Sequence, residues 1–289
     1  MDSNKGIVPS YFPLPVSPWK YTIHVDTPVN HVGLNQREGF ESVTEMDCVV
    51  PIKVKRHFRK LVVHGVKNSK FFHRVNIEGA ERKIEPLSDS PVVTFTVKQC
   101  DGVDINIDLA PMINVKLPFK DIFDWLNNVA KWPSQEKVQQ LKNNGVNLVT
   151  SDPLFWKLSF AICERELLVD IDRNGSGTCR RRSLRIMKRL RELFWCPDYE
   201  DRDGLTSYHL KNLLFLECER LAKDYQWNIE MMDERDIGMC EQLQVHLSAK
   251  HMPQFFNRPK HLFENKDNKR LNLAAINLNQ FLHCPENYL

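Results

Sequence analysis

The hydrophobic pattern changes period once along this chain, and that change limits the fold more than any other feature. Segments 45–54, 59–65, 72–77, 91–98 and 105–110 carry β-branched and aromatic residues at strand-like spacing, and Asp101-Gly102 is placed to turn one strand into the next. After Pro118 the spacing becomes helical: Asp121 to Val129, a helix capped by Ser134, then 157–168, 183–195, 206–223, 236–250 and 271–282. Leu210, Leu213, Leu214 and Cys218 share one apolar helix face. Residues 1–43 are rich in proline and turn formers and show no long helix. Strands followed by helices predict an α+β chain of two lobes. A mixed β-sheet lobe is expected over 1–130 and a helical lobe over 131–289, with a ligand cleft between them.

With 289 residues, 42% of them hydrophobic, the chain has material for a large core, which excludes general disorder. No apolar run reaches the length of a membrane span, and Met1-Asp2-Ser3-Asn4-Lys5 does not start a secretory signal, so a cytoplasmic protein with no membrane partner is expected. The eight cysteines form no Cys-x-x-Cys pair, and no structural zinc is expected. The net charge of +3 matters less than its distribution. Arg180, Arg181, Arg182, Arg185, Lys188, Arg189 and Arg191 follow one another without an acid. Such a block suits a polyanion, or a solvated helix face balanced by Glu192, Asp198, Glu200 and Asp201. Lys55, Arg56, Arg59 and Lys60 make a second, weaker patch.

The acids carry the chemistry. On a strand, Glu45 and Asp47 point to one side, and Asp108 comes from a second strand on which Ile105, Ile107 and Leu109 alternate opposite it. Asp104 shares the polar face with Asn106 and Asp108, so spacing leaves both acids open as a third ligand. Three carboxylates meeting at one sheet face suit Mg²⁺ or Mn²⁺ and chemistry on nucleotide phosphates. Glu45 and Asp47 equally fit a solvent-facing strand edge. Tyr208 suits stacking on a base or packing between helices, and Ser207 suits a polar contact or a bond to its own helix backbone. Lys157 and Lys188 suit phosphate or plain solvent, and His209 and Lys211 read as surface or packing positions.

Several motifs recur in a fixed order: Thr44-Glu45-Met46-Asp47, Ile107-Asp108-Leu109-Ala110-Pro111, Trp132-Pro133, Phe155-Trp156-Lys157-Leu158-Ser159-Phe160 with Glu164, and Leu205-Thr206-Ser207-Tyr208-His209-Leu210-Lys211. From about Gly39 to the C-terminus this order resembles the Mab-21 domain family, specifically its branch of cyclic GMP-AMP synthase and the zinc-free cGAS-like receptors of animals. The resemblance implies a bilobal nucleotidyltransferase fold. It implies a sensor of nucleic acid that joins two nucleoside triphosphates, ATP and GTP, into a cyclic dinucleotide. It also selects Asp108 over Asp104 and makes Glu45, Asp47 and Asp108 the metal-binding catalytic acids. Lys157, Ser159, Glu164, Lys188, Ser207 and Tyr208 become the nucleotide contacts. Arg180, Arg181, Arg182, Arg185 and Arg189 become the face for double-stranded RNA, ahead of DNA, on a monomer or a ligand-induced dimer.

Two departures from the family pattern point elsewhere. Gly33-Leu34 and Gly39-Phe40 stand where a Gly-Ser pair is expected to grip triphosphate, and residues 1–43 show no long spine helix. Both fit a catalytically inactive Mab-21 domain that serves as a nucleotide, nucleic-acid or protein scaffold.

Overall fold

The computed structural model describes residues 11–17, 20–25, 44–45, 48–68, 75–77, 92–98, 104–115, 132–171, 177–196 and 204–288. The chain divides into two compact units, one of residues 1–117 with 145–162 and the other of residues 118–144 with 163–289. The first holds the two larger sheets and the second most of the helices with a two-stranded hairpin, an α+β organisation.

The first unit is built on a seven-stranded sheet. It contains β1 (Tyr11–Ser17), β2 (Lys20–Val25), β3 (Thr44–Glu45), β4 (Cys48–Val49), β8 (Met112–Val115), β9 (Val146–Val149) and β10 (Trp156–Ser159). Its order is β3-β4-β2-β10-β9-β8, with β1 paired to β2, and each of these pairs is antiparallel. Val146, Asn147 and Leu148 of β9 are all buried, as expected for a strand covered on both faces. Trp156 is fully buried and its indole N–H donates to the Val49 carbonyl at 2.8 Å, which fixes β10 against β4. A separate sheet of three antiparallel strands holds β5 (Val75–Ile77), β6 (Val93–Lys98) and β7 (Asp104–Leu109).

This unit contains a departure from the sequence expectation. Residues 51–68 form a helix, α1 (Pro51–Asn68), where strands were expected at 45–54 and 59–65. Pro51 sits at its first position, where the missing N–H costs nothing. Its valines gave the strand-like signal, but Phe58, Val62 and Val66 repeat every four residues and lie on one side of the helix.

The second unit contains α2 (Gln135–Asn144), most of α3 (Ala161–Asp170), α4 (Arg180–Leu190), α5 (Ser207–Arg220), α6 (Met232–Ala249), the hairpin β11 (Pro253–Gln254) and β12 (Asn257–His261), and α7 (Asn268–His283). Strand β10 and helix α3 together replace the single helix expected over 157–168. In α5, Leu210, Leu213, Leu214 and Cys218 are all fully buried, the face that their spacing marks. Trp132, Phe215, Phe255 and Phe256 gather into one aromatic cluster of mostly tilted and edge-to-face pairs, with ring centroids 5.1–6.3 Å apart. Asp267 caps α7 by accepting from the Lys269 N–H at 2.7 Å. Among the described residues, no helix is long and apolar enough to cross a membrane.

Candidate functional site

Two of the acids expected to share one sheet face, Glu45 and Asp108, stand on strands of different sheets. Glu45 ends β3, which pairs antiparallel with β4 so that Glu45 lies opposite Cys48. Asp47 itself lies outside the described residues. Asp108 stands on β7 of the three-stranded sheet, in register with Thr94, whose hydroxyl donates to one of its carboxylate oxygens at 2.7 Å. Asn106 repeats the arrangement with Thr96 at 2.7 Å, so these two positions form the exposed polar face that the alternation predicts. An exposed carboxylate is a hard oxygen donor, chemically suited to Mg²⁺ or Mn²⁺. Among the described residues, no group of three histidine, cysteine, aspartate or glutamate side chains is placed to hold a metal ion.

Two of the expected nucleotide contacts lie on β10. Lys157 is half-buried, with Nζ 3.5 Å from the Ser151 carbonyl. Ser159 accepts from the Ala161 N–H at 3.4 Å and so marks the start of α3.

The residues that do converge belong to the second unit: Glu164 of α3, Tyr208 and Lys211 of α5, and Gln254 of β11. Glu164 is buried and receives a hydrogen bond from Lys211 Nζ, an ion pair across 47 positions of sequence. Lys211 Nζ also stands 4.9 Å from the centre of the Tyr208 ring, within reach of its π face. The Tyr208 hydroxyl accepts from Gln254 Nε2 at 2.9 Å. Burial, with the Glu164 carboxylate next to it, pushes the Tyr208 phenol well above its ordinary range. The same two causes push the Cys163 thiol up to about 12, which keeps it protonated and unreactive.

The start of α5 fixes where Tyr208 points. Thr206 is the N-cap, and its backbone N–H donates to His209 Nδ1 at 2.8 Å, so the imidazole takes the place that glutamate or glutamine fills in a capping box. His209 Nε2 lies 3.3 Å from the Leu262 carbonyl, which selects the tautomer with the proton on Nε2. The residue is only 2% exposed, and burial pulls its pKa down to about 4. Ser207 is exposed at the first turn.

The sequence reads Lys211 and His209 as surface or packing positions; His209 is a buried packing residue that also caps the helix, and Lys211 neutralises Glu164. The i, i+3 spacing of Tyr208 and Lys211 was the available signal, because it puts them on one helix face. Gln254 had none, being 46 positions from Tyr208.

The basic block also divides. Arg181, Arg182, Arg185 and Arg189 of α4 are exposed and Lys188 is half-buried. Arg180, expected on the same face, is 3% exposed. Its guanidinium donates to Asp224 at 2.8 Å and lies 5.3 Å from the Trp227 ring centre, so it joins parts of the fold and does not face a polyanion.

The chain thus combines an antiparallel sheet unit with a helical unit that carries a carboxylate–lysine–tyrosine cluster. Residues 25–170 match the Mab-21 protein nucleotidyltransferase domain, and residues 179–280 match the Mab-21 protein HhH/H2TH-like domain. The chain belongs to the Mab-21 family. It is 27% identical to Protein mab-21-like 3 of Danio rerio over 243 residues, covering 83% of this chain and 58% of that protein. It is 30% identical to Protein mab-21-like of Drosophila melanogaster over 248 residues, covering 81% of this chain and 62% of the relative. Protein mab-21-like 3 of Xenopus laevis is 27% identical over 203 residues, 68% of this chain and 52% of that protein. The chain thus spans a little over half the length of the curated relatives it matches.

Proposed function

We propose that this chain binds nucleoside triphosphates, ATP and GTP, and joins them by nucleotidyl transfer into a cyclic dinucleotide, in the manner of a cGAS-like receptor of duplex RNA. The observation that supports the reading is the cluster of Tyr208, Glu164, Lys211 and Gln254. It offers an aromatic face, a carboxylate, an ammonium and an amide within one small region, the groups that recognise a purine and its phosphates. In the proposed reaction a ribose hydroxyl oxygen forms a bond to the α-phosphorus of a triphosphate, pyrophosphate leaves, and the hydroxyl proton passes to Asp108. Glu45, Asp47 and Asp108 would hold Mg²⁺ or Mn²⁺, whose role when bound is to neutralise phosphate charge. Lys157 and Lys188 add positive charge for the phosphates, Ser159 and Ser207 add hydroxyls, and the exposed arginines of α4 meet the duplex backbone.

A second reading, a Mab-21 domain without catalysis, has its own support. Lys211 already covers the Tyr208 ring and neutralises Glu164, so a base must displace the lysine before it stacks. Incubation with all four labelled triphosphates, Mg²⁺ or Mn²⁺, and duplex RNA or DNA separates the two. A cyclic product that disappears in Asp47→Asn supports the enzyme, and no product with any activator refutes it. Nucleotide affinity is measured in parallel. Stacking of a base on tyrosine is worth about 1–3 kcal/mol, so Tyr208→Ala should weaken ATP or GTP binding about tenfold while Tyr208→Phe retains it. Equal affinities for all three proteins would remove Tyr208 from the site.

A further inference from the structure

Helix α1 (Pro51–Asn68) is strongly one-sided in charge. No aspartate or glutamate occurs between Asp47 and Glu78, and the helix itself carries Lys53, Lys55, Arg56, Arg59, Lys60 and Lys67. Arg56, Lys60 and His64 follow one another at four-residue spacing and are all exposed, a line with steps of about 6 Å. Lys53 and His57 lie on the same side and are half-buried. Lys55, which the sequence groups with this patch, is 2% exposed and takes no part in it. The apolar side of the helix is incompletely covered. Val54, Phe58, Val62 and Val66 are half-buried, and Leu61, next to His57 and His64 on the helix surface, is 39% exposed.

From this combination we infer that α1 adsorbs flat on an anionic lipid surface, its cations among the headgroups and Leu61 at the acyl boundary. A basic amphipathic helix suits either the face of an anionic membrane or the apolar groove of an acidic protein. A groove takes the apolar side, and here that side is turned toward the helix's own unit. The Ile52 N–H, which donates to the Pro153 carbonyl at 3.3 Å, and the burial of Lys55 hold it there. A bilayer approaches from the exposed side alone. Nucleic acid answers the charge, but a phosphate backbone leaves Leu61 and the half-buried valines in water, whereas the boundary between headgroups and acyl chains accepts both. The cations differ as well. Guanidinium forks, which fit single phosphates, dominate the exposed face of α4, whereas α1 presents ammonium and imidazole groups with one exposed arginine.

Charge sets the strength. Each lysine or arginine at an anionic leaflet tightens binding about fivefold, so Lys53, Arg56 and Lys60 together give about a hundredfold preference for anionic over neutral lipid. Such a contact is reversible and sensitive to salt. It needs no spanning segment, and among the described residues no helix is long and apolar enough to be one.

Co-sedimentation of the 289-residue chain with phosphatidylcholine vesicles, with and without about 30% phosphatidylserine, tests the inference at about 0.1 M salt. Binding to the charged vesicles alone is expected, weakening as salt rises. Arg56→Glu with Lys60→Glu should reduce it by at least about 25-fold. Leu61→Ser should reduce it about fivefold while leaving affinity for duplex RNA unchanged. Thermal unfolding checks that the doubly substituted protein folds, and Arg56→Gln with Lys60→Gln, expected to weaken binding about 25-fold, replaces it if it does not. A chain that ignores charged vesicles would overturn the inference. So would adsorption that no α1 variant weakens, which places the contact elsewhere. An α1 charge variant that loses duplex RNA and keeps the vesicles would overturn it in favour of nucleic acid.

Discussion

Acid should loosen the start of α5, and the size of the effect follows from one imidazole. His209 accepts the Thr206 N–H on Nδ1 and donates from Nε2 to Leu262, so its neutral form has no site left for a proton. Protonation would set an N–H against the Thr206 N–H inside a buried pocket. The group moves from its ordinary value of 6.5 to about 4 on folding. Between those values the unfolded chain binds the proton and the folded chain does not, so stability is complete above pH 6.5 and is lost as pH falls toward 4. At about 1.4 kcal/mol per pH unit the full loss is about 3 kcal/mol, most of it reached near pH 4.5. Carboxylates also titrate in this range, so the informative quantity is a difference between proteins. His209→Gln keeps an acceptor for Thr206 and removes the titration. Urea unfolding of both proteins at pH 7 and pH 4.5 should show the wild-type chain losing roughly 2–3 kcal/mol more than the variant. Equal losses, or a His209 titration by NMR near the ordinary imidazole value, would refute the reasoning.

Three further variants test the fold and the basic helix. Gly145 has φ +71° between α2 and β9, and a Cβ there would lie 2.5 Å from the Val115 carbonyl oxygen, so Gly145→Ala should cost about 2 kcal/mol or more in urea unfolding. Arg180→Ala should destabilise the chain by about 2 kcal/mol through lost packing and hydrogen bonding. Arg181→Glu with Arg185→Glu should leave stability within about 0.5 kcal/mol but weaken duplex RNA binding and flatten its salt dependence. Thermal unfolding and filter binding at several salt concentrations separate the two outcomes.

The sequence was legible where a single element sets its own pattern. Leu210, Leu213, Leu214 and Cys218 announce α5 because one face must be buried, and Thr94 with Thr96 meets Asp108 and Asn106 because strands alternate. It misled at α1, where β-branched residues satisfy strand propensity and only the four-residue repeat of Phe58, Val62 and Val66 indicates a helix. It was silent where a partner comes from far along the chain. Nothing near Glu164 names Lys211, nothing near Tyr208 names Gln254, and nothing in the run of arginines separates Arg180 from Arg181. Burial decided that last difference, and burial is a property of the assembled unit.

The ties around Arg180 carry a consequence for how the helical unit forms. The Cys179 N–H donates to the Trp227 carbonyl at 2.7 Å, and Thr178 bridges to Asn228, so the chain leaving at α4 returns to its own starting point after α5. Closing a flexible loop of that length costs roughly 3 kcal/mol of chain entropy. Arg180, Asp224 and Trp227 add side-chain ties at that closure, beside the buried faces of α4 and α5. A helix bundle fastened at its base in this way should open as one piece, with Trp227 fluorescence and the amide protection of both helices changing together.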